Sequence, residues 1–136
     1  MKESEYVSAL IVVKNEQDFI EKALMSLINQ EYPKNLYEII VVDGGSSDNT
    51  ISIVEKIRDD VIIPSGISFQ FLSNPKGILA SGWNIALKAA KGEYVFRIDA
   101  HSIVGKNYIH QCLNLLREVD AVCVGGTMQS LTIDQK

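Results

Sequence analysis

The sequence predicts an α/β fold in which a mainly parallel sheet carries helices on both faces. Two observations predict it. Short apolar runs of strand length alternate with longer segments whose apolar residues recur at helical spacing. The apolar runs are rich in Val and Ile on both of their faces, which is typical of strands buried on both sides. At 136 residues, 46% of them hydrophobic, the chain fits one domain, 1–136, with a real core.

Five strands and four helices alternate along the chain. The strands are predicted at 6–13, 37–43, 69–73, 94–99 and 120–126, and the helices at 16–30, from about 47, at 78–91 and at 106–119. Asn15 is placed to cap the first helix, Ser47 is placed to cap the second, and Gly92 is placed to end the third. The segment 59–68, "DDVIIPSGIS", is predicted to be a loop.

The charge balance limits the classes of partner. The chain has 13 Lys and Arg against 17 Asp and Glu, a formal net charge of -4, and its basic residues are scattered. Nucleic-acid binding would need a concentrated positive face, so the sequence predicts no nucleic-acid partner. An acidic domain that binds an anionic ligand needs a local cation, a helix N-terminus or a few well-placed lysines.

The sequence also predicts a compartment. The N-terminus has acidic residues where a signal peptide has a basic segment, and no apolar run approaches the ~20 residues of a membrane span. We therefore expect a cytoplasmic protein with no membrane span in this chain, held at the inner face of the membrane if a longer parent carries an anchor. Cys112 and Cys123 lie in apolar patterns outside any CxxC, and both are predicted to be buried and reduced.

Polar and flexible residues follow the first four predicted strands. They are Lys14-Asn15-Glu16, then Asp43-Gly44-Gly45-Ser46-Ser47-Asp48, then Asn74-Pro75-Lys76-Gly77, then Asp99-Ala100-His101. Each stretch alone is compatible with a helix cap or a turn. Ligands of parallel sheets bind beyond the carboxyl ends of the strands, so the four stretches together predict a site.

Two common phosphate-binding motifs are absent. Gly77 and Gly82 have the spacing of a P-loop, but Trp83 and Asn84 stand where Lys and Ser or Thr are required. The GxGxxG fingerprint is missing after the first strand. The sequence therefore disfavours both a P-loop hydrolase and a dinucleotide-dependent dehydrogenase.

Asp99 and His101 form a candidate metal site at the end of the fourth strand. Residues two apart on a strand share one face, roughly 7 Å apart, so both side chains could reach one ion. A carboxylate oxygen with an imidazole nitrogen suits Mn²⁺, and tolerably Mg²⁺, and leaves coordination positions for phosphate oxygens. The alternative is a histidine that simply lies on the surface.

With these residues in place, the sequence resembles the N-terminal half of the family 2 glycosyltransferases. The resemblance is carried by "SALIVVKNE", "YEIIVVDGGSSDNT", "NPKGILASGWNIALKAAKGEYVFRIDAHS" and "VGG". It implies a Rossmann-like GT-A fold, truncated at its C-terminal side. The Asp-Ala-His form is similar to enzymes that build bacterial exopolysaccharides of the succinoglycan kind.

The resemblance implies a site for a nucleotide-sugar donor, with a UDP-sugar favoured. Val12, Lys14 and Glu16 would line the base pocket, Asp43 would hydrogen-bond the base, and Lys76 would lie near the nucleotide or diphosphate. In the same way Asp99 would lie at the ribose and the metal. His101 would lie at the metal, Mn²⁺ or Mg²⁺.

Four residues depart from the family pattern. Val12 stands where Pro is common, Gly44 where a second Asp is frequent, Trp83 where an Arg often precedes the Asn, and His101 where Asp is usual. Replacing an anionic ligand by a neutral imidazole should shift the metal preference toward Mn²⁺.

The resemblance also implies an inverting transfer to a glycan or lipid-linked acceptor, which calls for a carboxylate base. In the family that base lies beyond the fifth strand, so we expect it beyond residue 136. We accordingly expect a fragment that binds nucleotide but transfers sugar poorly, with an exposed apolar face and a tendency to form homo-oligomers.

Two alternatives stay open. A nucleotidyltransferase would need a Gly-rich loop with Arg or Lys after the first strand, and "VVKNEQDF" lacks one. A non-catalytic nucleotide-binding or receiver-type α/β module would need paired acids after the first strand and a Lys after the last.

Overall fold

A computed structural model describes residues 5–126. Its elements in chain order are β1 (Val7–Val13), α1 (Ile20–Ile28), a 3₁₀ turn (Lys34–Leu36), β2 (Tyr37–Asp43), α2 (Thr50–Ile57), a π-helical turn (Arg58–Ile62), α3 (Ile63–Ser65), β3 (Ser68–Ser73), α4 (Leu79–Ala89), β4 (Tyr94–Asp99) and α5 (Tyr108–Val119).

The four strands form one parallel sheet in the order β3-β2-β1-β4. Val13 pairs with Asp43 on one side of β1, and Val12 pairs with Asp99 on the other. The carboxyl ends of the strands therefore meet at one edge. The chain order reverses between β1 and β4, and such a reversal opens a crevice at that edge.

Helices cover both faces of the sheet, which confirms the predicted architecture. Helices α1, α2 and α5 pack on one face, where they bury residues such as Leu24, Val54 and Ile109. Helix α4 packs on the other face through Ala86, against Leu10 and Ile40. Strands β1 and β2 are almost wholly buried because they lie between the two helical layers.

A buried carboxylate fastens α4 to the amino-terminal edge of the sheet. Glu38 is 2% exposed and accepts hydrogen bonds from the Ser8 hydroxyl at 2.6 Å and the Lys91 N–H at 2.7 Å. A Cβ at Gly92 would lie 2.6 Å from the Ser8 nitrogen. The prediction that Gly92 ends the third helix is wrong, since α4 ends at Ala89 with Ala90 as its C-cap. Gly92 instead permits a close approach between two backbone segments.

Helix α1 begins four residues later than predicted, at Ile20, and Asn15 does not cap it. The residues before it are engaged elsewhere: the Glu16 N–H donates to the Thr50 hydroxyl at 2.9 Å, and the Gln17 N–H donates to Asp48 at 3.3 Å. These bonds hold the chain in a loop after β1. The prediction that Ser47 caps the second helix is wrong, since α2 starts at Thr50 with Asn49 at its N-cap and the Ser47 N–H donates to the Asn15 side chain.

The predicted loop at 59–68 is wrong, because most of it is helical. A π-helical turn and α3 continue from α2 up to Ser65, and Gly66 then reverses the chain with a φ of 86°. Ile62 is fully buried in the core, which favours the helical continuation. Pro64 is tolerated because it lies in the first turn of α3.

The predicted fifth strand, at 120–126, is not formed. Asp120 has a left-handed conformation that ends α5, and Val122 and Cys123 are exposed. The apolar composition predicted burial between helical layers, whereas among the described residues this segment contacts the core through the half-buried Val124. The prediction that both thiols are buried holds for Cys112 and is wrong for Cys123.

Of the helices between residues 5 and 126, none is long and apolar enough to cross a bilayer.

Candidate functional site

A cavity of about 380 Å³ opens at the carboxyl edge of the sheet, where β1 and β4 diverge. Its walls come from the ends of all four strands and from the start of α4. From the predicted site residues the structure brings together Val12, Lys14, Glu16, Asp99 and His101. The cavity therefore lies where the order of the strands predicts a ligand.

The loops that follow β1 and β2 are fastened to each other. Asn15 has a φ of 52°, and its side-chain oxygen accepts the N–H groups of Ser47 at 2.8 Å and Asp48 at 3.3 Å. The Asn15 N–H donates to the Ser46 hydroxyl at 2.8 Å. These contacts hold Lys14 and Glu16, on either side of Asn15, in the cavity wall.

Asp43 shapes the turn after β2. It is buried, and its carboxylate accepts hydrogen bonds from the N–H groups of Gly45 at 2.9 Å and Ser46 at 3.1 Å and from the Ser46 hydroxyl at 2.6 Å. The neighbouring Gly44 lines the cavity. Asp43 thus acts on the site through the turn that it organises.

Two glycines bring the third strand end and α4 against the rest of the site. Gly77 has a φ of 65°, and a Cβ there would lie 3.2 Å from the Gly44 carbonyl oxygen and 3.5 Å from the Lys14 ammonium nitrogen. A Cβ at Gly82 would lie 2.6 Å from a methyl group of Val12. Lys76 is exposed in the loop between the lining residues Asn74 and Gly77.

Asp99 and His101 line the same cavity, although not through a continued strand. Strand β4 ends at Asp99, and the Ser102 N–H bonds back to the Asp99 carbonyl at 2.9 Å, so His101 lies in a turn. Its Nδ1 is 3.5 Å from a Glu16 oxygen. The Glu16 carboxylate therefore lies beside the Nδ1 edge of the imidazole, and Nε2 is the other ring nitrogen that an ion could use.

The donor set fits a partial metal site. Between residues 5 and 126 no group of three His, Cys, Asp or Glu side chains is gathered closely enough to hold an ion by itself. A carboxylate and an imidazole can supply two ligands of an Mn²⁺ ion, and oxygens of a bound ligand can complete its coordination. The chemistry of these two residues therefore suits an ion that arrives with an anionic ligand.

Two lining residues were missed as candidates from the sequence, Arg97 and Trp83. The guanidinium carbon of Arg97 lies 4.6 Å from the centre of the Trp83 ring, and its Nε lies 3.6 Å from an Asp99 oxygen. Arg97 precedes Asp99 by two positions, and this period-2 spacing was the signal that could have found it. Arg97 and Lys14 add two cations to a wall that also carries Glu16 and Asp99.

A doubly wound parallel sheet with a polar crevice where its strand order reverses defines a ligand-binding class of α/β protein. Residues 8–133 match the profile of "Glycosyl transferase family 2". The chain belongs to this family of glycosyltransferases.

Two relatives in the family are named as sugar transferases of poly(ribitol-phosphate). The chain is 31% identical over 111 residues to the poly(ribitol-phosphate) beta-N-acetylglucosaminyltransferase TarS of Staphylococcus aureus, covering 82% of the chain and 19% of TarS. It is 33% identical over 116 residues to a poly(ribitol-phosphate) beta-glucosyltransferase of Bacillus spizizenii, covering 82% of the chain and 17% of that relative. The chain thus spans about a fifth of the length of these relatives.

Solved structures confirm the GT-A fold. S. aureus TarS 1-349 in complex with UDP superposes with a TM-score of 0.70 at 28% identity, covering 83% of this chain and 32% of that one. The mannosyltransferase PcManGT from Pyrobaculum calidifontis, in complex with GDP-Man and Mn²⁺, superposes with a TM-score of 0.77 at 26% identity and the same two coverages.

Proposed function

We propose that the cavity binds a nucleotide-sugar donor, and that the chain is the donor-binding part of an inverting, metal-assisted glycosyltransferase of polysaccharide or cell-surface glycan synthesis. One observation carries the proposal: Asp99 and His101, from the end of β4, line the same cavity as Lys14 and Glu16, from the end of β1. The names of the superposed proteins add support, since they bind UDP or GDP-Man.

The donor would lie across the carboxyl ends of β1 and β4. Val12, Lys14 and Glu16 would line the pocket of the base, and Asp43 would hydrogen-bond the base. Lys76, next to Gly77, would lie near the nucleotide or its diphosphate. A cavity of about 380 Å³ is of the size that small ligands fill in proteins. A UDP-sugar is the favoured donor.

Asp99 and His101 would hold a divalent cation, Mn²⁺ or Mg²⁺, together with the donor's phosphate oxygens. The cation, when bound, neutralises the charge that builds on the leaving nucleoside diphosphate. Glu16 would orient the His101 ring through its Nδ1, as carboxylates do for many metal-bound histidines.

The acceptor, a glycan or a lipid-linked sugar, would be bound by parts of a longer protein. The inverting transfer needs a carboxylate base to deprotonate the acceptor hydroxyl, and we propose that this base lies beyond residue 136. The 136-residue chain would then bind donor without appreciable transfer.

A thermal-shift panel tests the proposal. The chain is heated with UDP-, GDP-, TDP- and ADP-sugars, each with and without Mn²⁺. We expect one nucleotide to raise the unfolding temperature in an ion-dependent manner, because a ligand that binds only the folded state stabilises it. Asp99→Asn should abolish the shift, whereas Asp60→Asn, the same change at an exposed residue of the π-helical turn, should not. No shift with any nucleotide would refute the proposal.

A further inference from the structure

We propose that Arg97, stacked on the Trp83 ring, is a binding residue for the diphosphate of the donor. The inference rests on the proposed function and adds to it a cationic contact that is supplied by the protein and independent of the metal. Three features of Arg97 support this role: its position on β4, its contact with the Trp83 ring, and the lack of hydrogen bonds from its N–H groups within the described residues.

The alternation of side chains along β4 places Arg97 on the same face of the strand as Asp99. Phe96 and Ile98 are buried in the core under α1 and α5, so Arg97 and Asp99 lie on the opposite face of the strand, the face that α4 covers. Arg97 pairs in register with Leu10, on the β1 side of the cavity. The side chain of Arg97 lines the cavity together with Asp99.

Trp83 provides a platform for the guanidinium group. The Arg97 guanidinium carbon is 4.6 Å from the ring centre, within the range of a cation–π contact. The indole Nε1 is buried and finds no hydrogen-bond partner in the described part of the chain, so the ring serves the site through its face and its apolar contacts. A stacked guanidinium keeps its edges free for oxyanions.

Among residues 5–126, the hydrogen-bond donors of Arg97 find few partners. The Arg97 Nε lies 3.6 Å from the Asp99 oxygen, too far for a hydrogen bond, and the side chain is 63% exposed. An exposed ion pair of this kind contributes little to stability, so the fold does not require it. A guanidinium presents five N–H donors in a planar fork that matches phosphate oxygens.

The two cations of the cavity wall, Lys14 and Arg97, offset the carboxylates of Glu16 and Asp99 and so favour an anionic group beside them. A chain with a net charge of -4 needs placed cations to bind an anion, and Arg97 faces the cavity that Lys14 also lines. A neutral sugar would draw no advantage from two cations. The diphosphate is the part of the donor that would.

Calorimetric titration of variants tests the inference. Wild type, Arg97→Met and Arg97→Lys are titrated, with Mn²⁺ present, with UDP and GDP and with the two nucleosides that lack the diphosphate. We expect Arg97→Met to weaken binding of the preferred nucleoside diphosphate about tenfold or more, because charge-assisted hydrogen bonds are lost, and to leave nucleoside binding unchanged. Arg97→Lys should fall between the two, since an ammonium group lacks the planar fork.

Matched controls separate binding from folding. Arg58→Met removes another guanidinium that is paired with a neighbouring carboxylate, Asp59 at 2.8 Å, away from the cavity, and should leave all affinities unchanged. Trp83→Phe keeps an aromatic face and loses no hydrogen bond within the described fold, so its effect on diphosphate binding should be smaller than that of Trp83→Leu.

Each outcome has a distinct meaning. Unchanged diphosphate affinity in Arg97→Met, or an equal loss for nucleoside and diphosphate, would overturn the role of Arg97 while leaving the donor site intact. A wild type that binds no nucleoside diphosphate would overturn the proposed function itself.

Discussion

The side-chain oxygen of Asn15 accepts the backbone N–H of Ser47 at 2.8 Å, so the loop after β1 is fastened to the loop after β2. Asn15 also adopts a left-handed φ of 52°. Asparagine tolerates this conformation better than most residues do, and its short amide can reach a neighbouring N–H from it. One residue thereby sets the separation of two walls of the cavity.

Asn15→Ala should destabilise the protein by about 1–3 kcal/mol, because it removes the acceptor of the Ser47 N–H and leaves at a positive φ a residue that tolerates it less well than asparagine. Asn15→Gly also loses the hydrogen bond but adopts a positive φ without strain, so it should destabilise the protein less than Asn15→Ala does. Urea unfolding measures both. Asn35→Ala, at an exposed asparagine of the 3₁₀ turn, is the control. Equal stability of Asn15→Ala and wild type would contradict this account.

Gly82→Ala should destabilise the protein although the residue lies inside a helix. At an unobstructed helical site, alanine is better than glycine by about 1 kcal/mol. Here the new methyl would meet a Val12 methyl at 2.6 Å, and relieving the overlap should cost about 1–3 kcal/mol. Chemical denaturation gives the difference.

The background variant Val12→Ala supplies the internal check for that site. Gly82→Ala should be less harmful in this background, since the obstructing methyl group is gone. Gly105→Ala, where a Cβ meets open space, should be close to neutral. A Gly82→Ala protein that is more stable than wild type would show that α4 is not held against β1 as described.

Glu38→Leu should lower the free energy of unfolding by about 2–5 kcal/mol, because the buried Ser8 hydroxyl and the Lys91 N–H lose their acceptor. Glu38→Gln retains one carbonyl oxygen and should cost less. The network lies at the opposite edge of the sheet from the cavity. Nucleotide binding by the folded Glu38→Gln protein should therefore match wild type, and a loss of binding would contradict the separation of the two edges.

The two thiols should differ in reactivity. Burial raises the pKa of the Cys112 thiol. Because the thiolate is the nucleophile, alkylation of Cys112 should need a higher pH than alkylation of an unperturbed cysteine thiol. Cys123 is exposed and should be alkylated first in the native protein. Peptide mapping after limited iodoacetamide treatment distinguishes them, with Cys123→Ser as control; equal labelling would show that α5 opens readily.

Much of the fold follows from short-range patterns. Strands β1, β2 and β4 carry Val and Ile on both faces, and the bounds predicted for β2 and β4 match the structure residue for residue. The segment 120–126 has a similar apolar composition but forms no strand, and its Val122 and Cys123 are exposed, because burial depends on surroundings that composition alone does not determine. The misplaced helix cap at Asn15 has a similar cause. Its side chain binds the Ser47 N–H, 32 positions away, instead of capping the adjacent helix.

The site was partly predictable for a related reason. Parallel strands bring their carboxyl ends to one edge, so Lys14, Glu16 and Asp99 could be grouped without knowing any distance. The stacking of Arg97 on Trp83 depends on how α4 lies over β4, and nothing in either residue's neighbourhood in the sequence sets that angle. The roles of the individual site residues toward a donor stay predictions.

The pairing of Val7 with Tyr94 joins the first strand to the last and has a kinetic consequence. Contacts so distant along the chain must wait for costly loop closure, so we expect slow folding in which β4 docks late. The cavity exists only after that docking. A ligand held there would retard unfolding while leaving the rate of refolding almost unchanged.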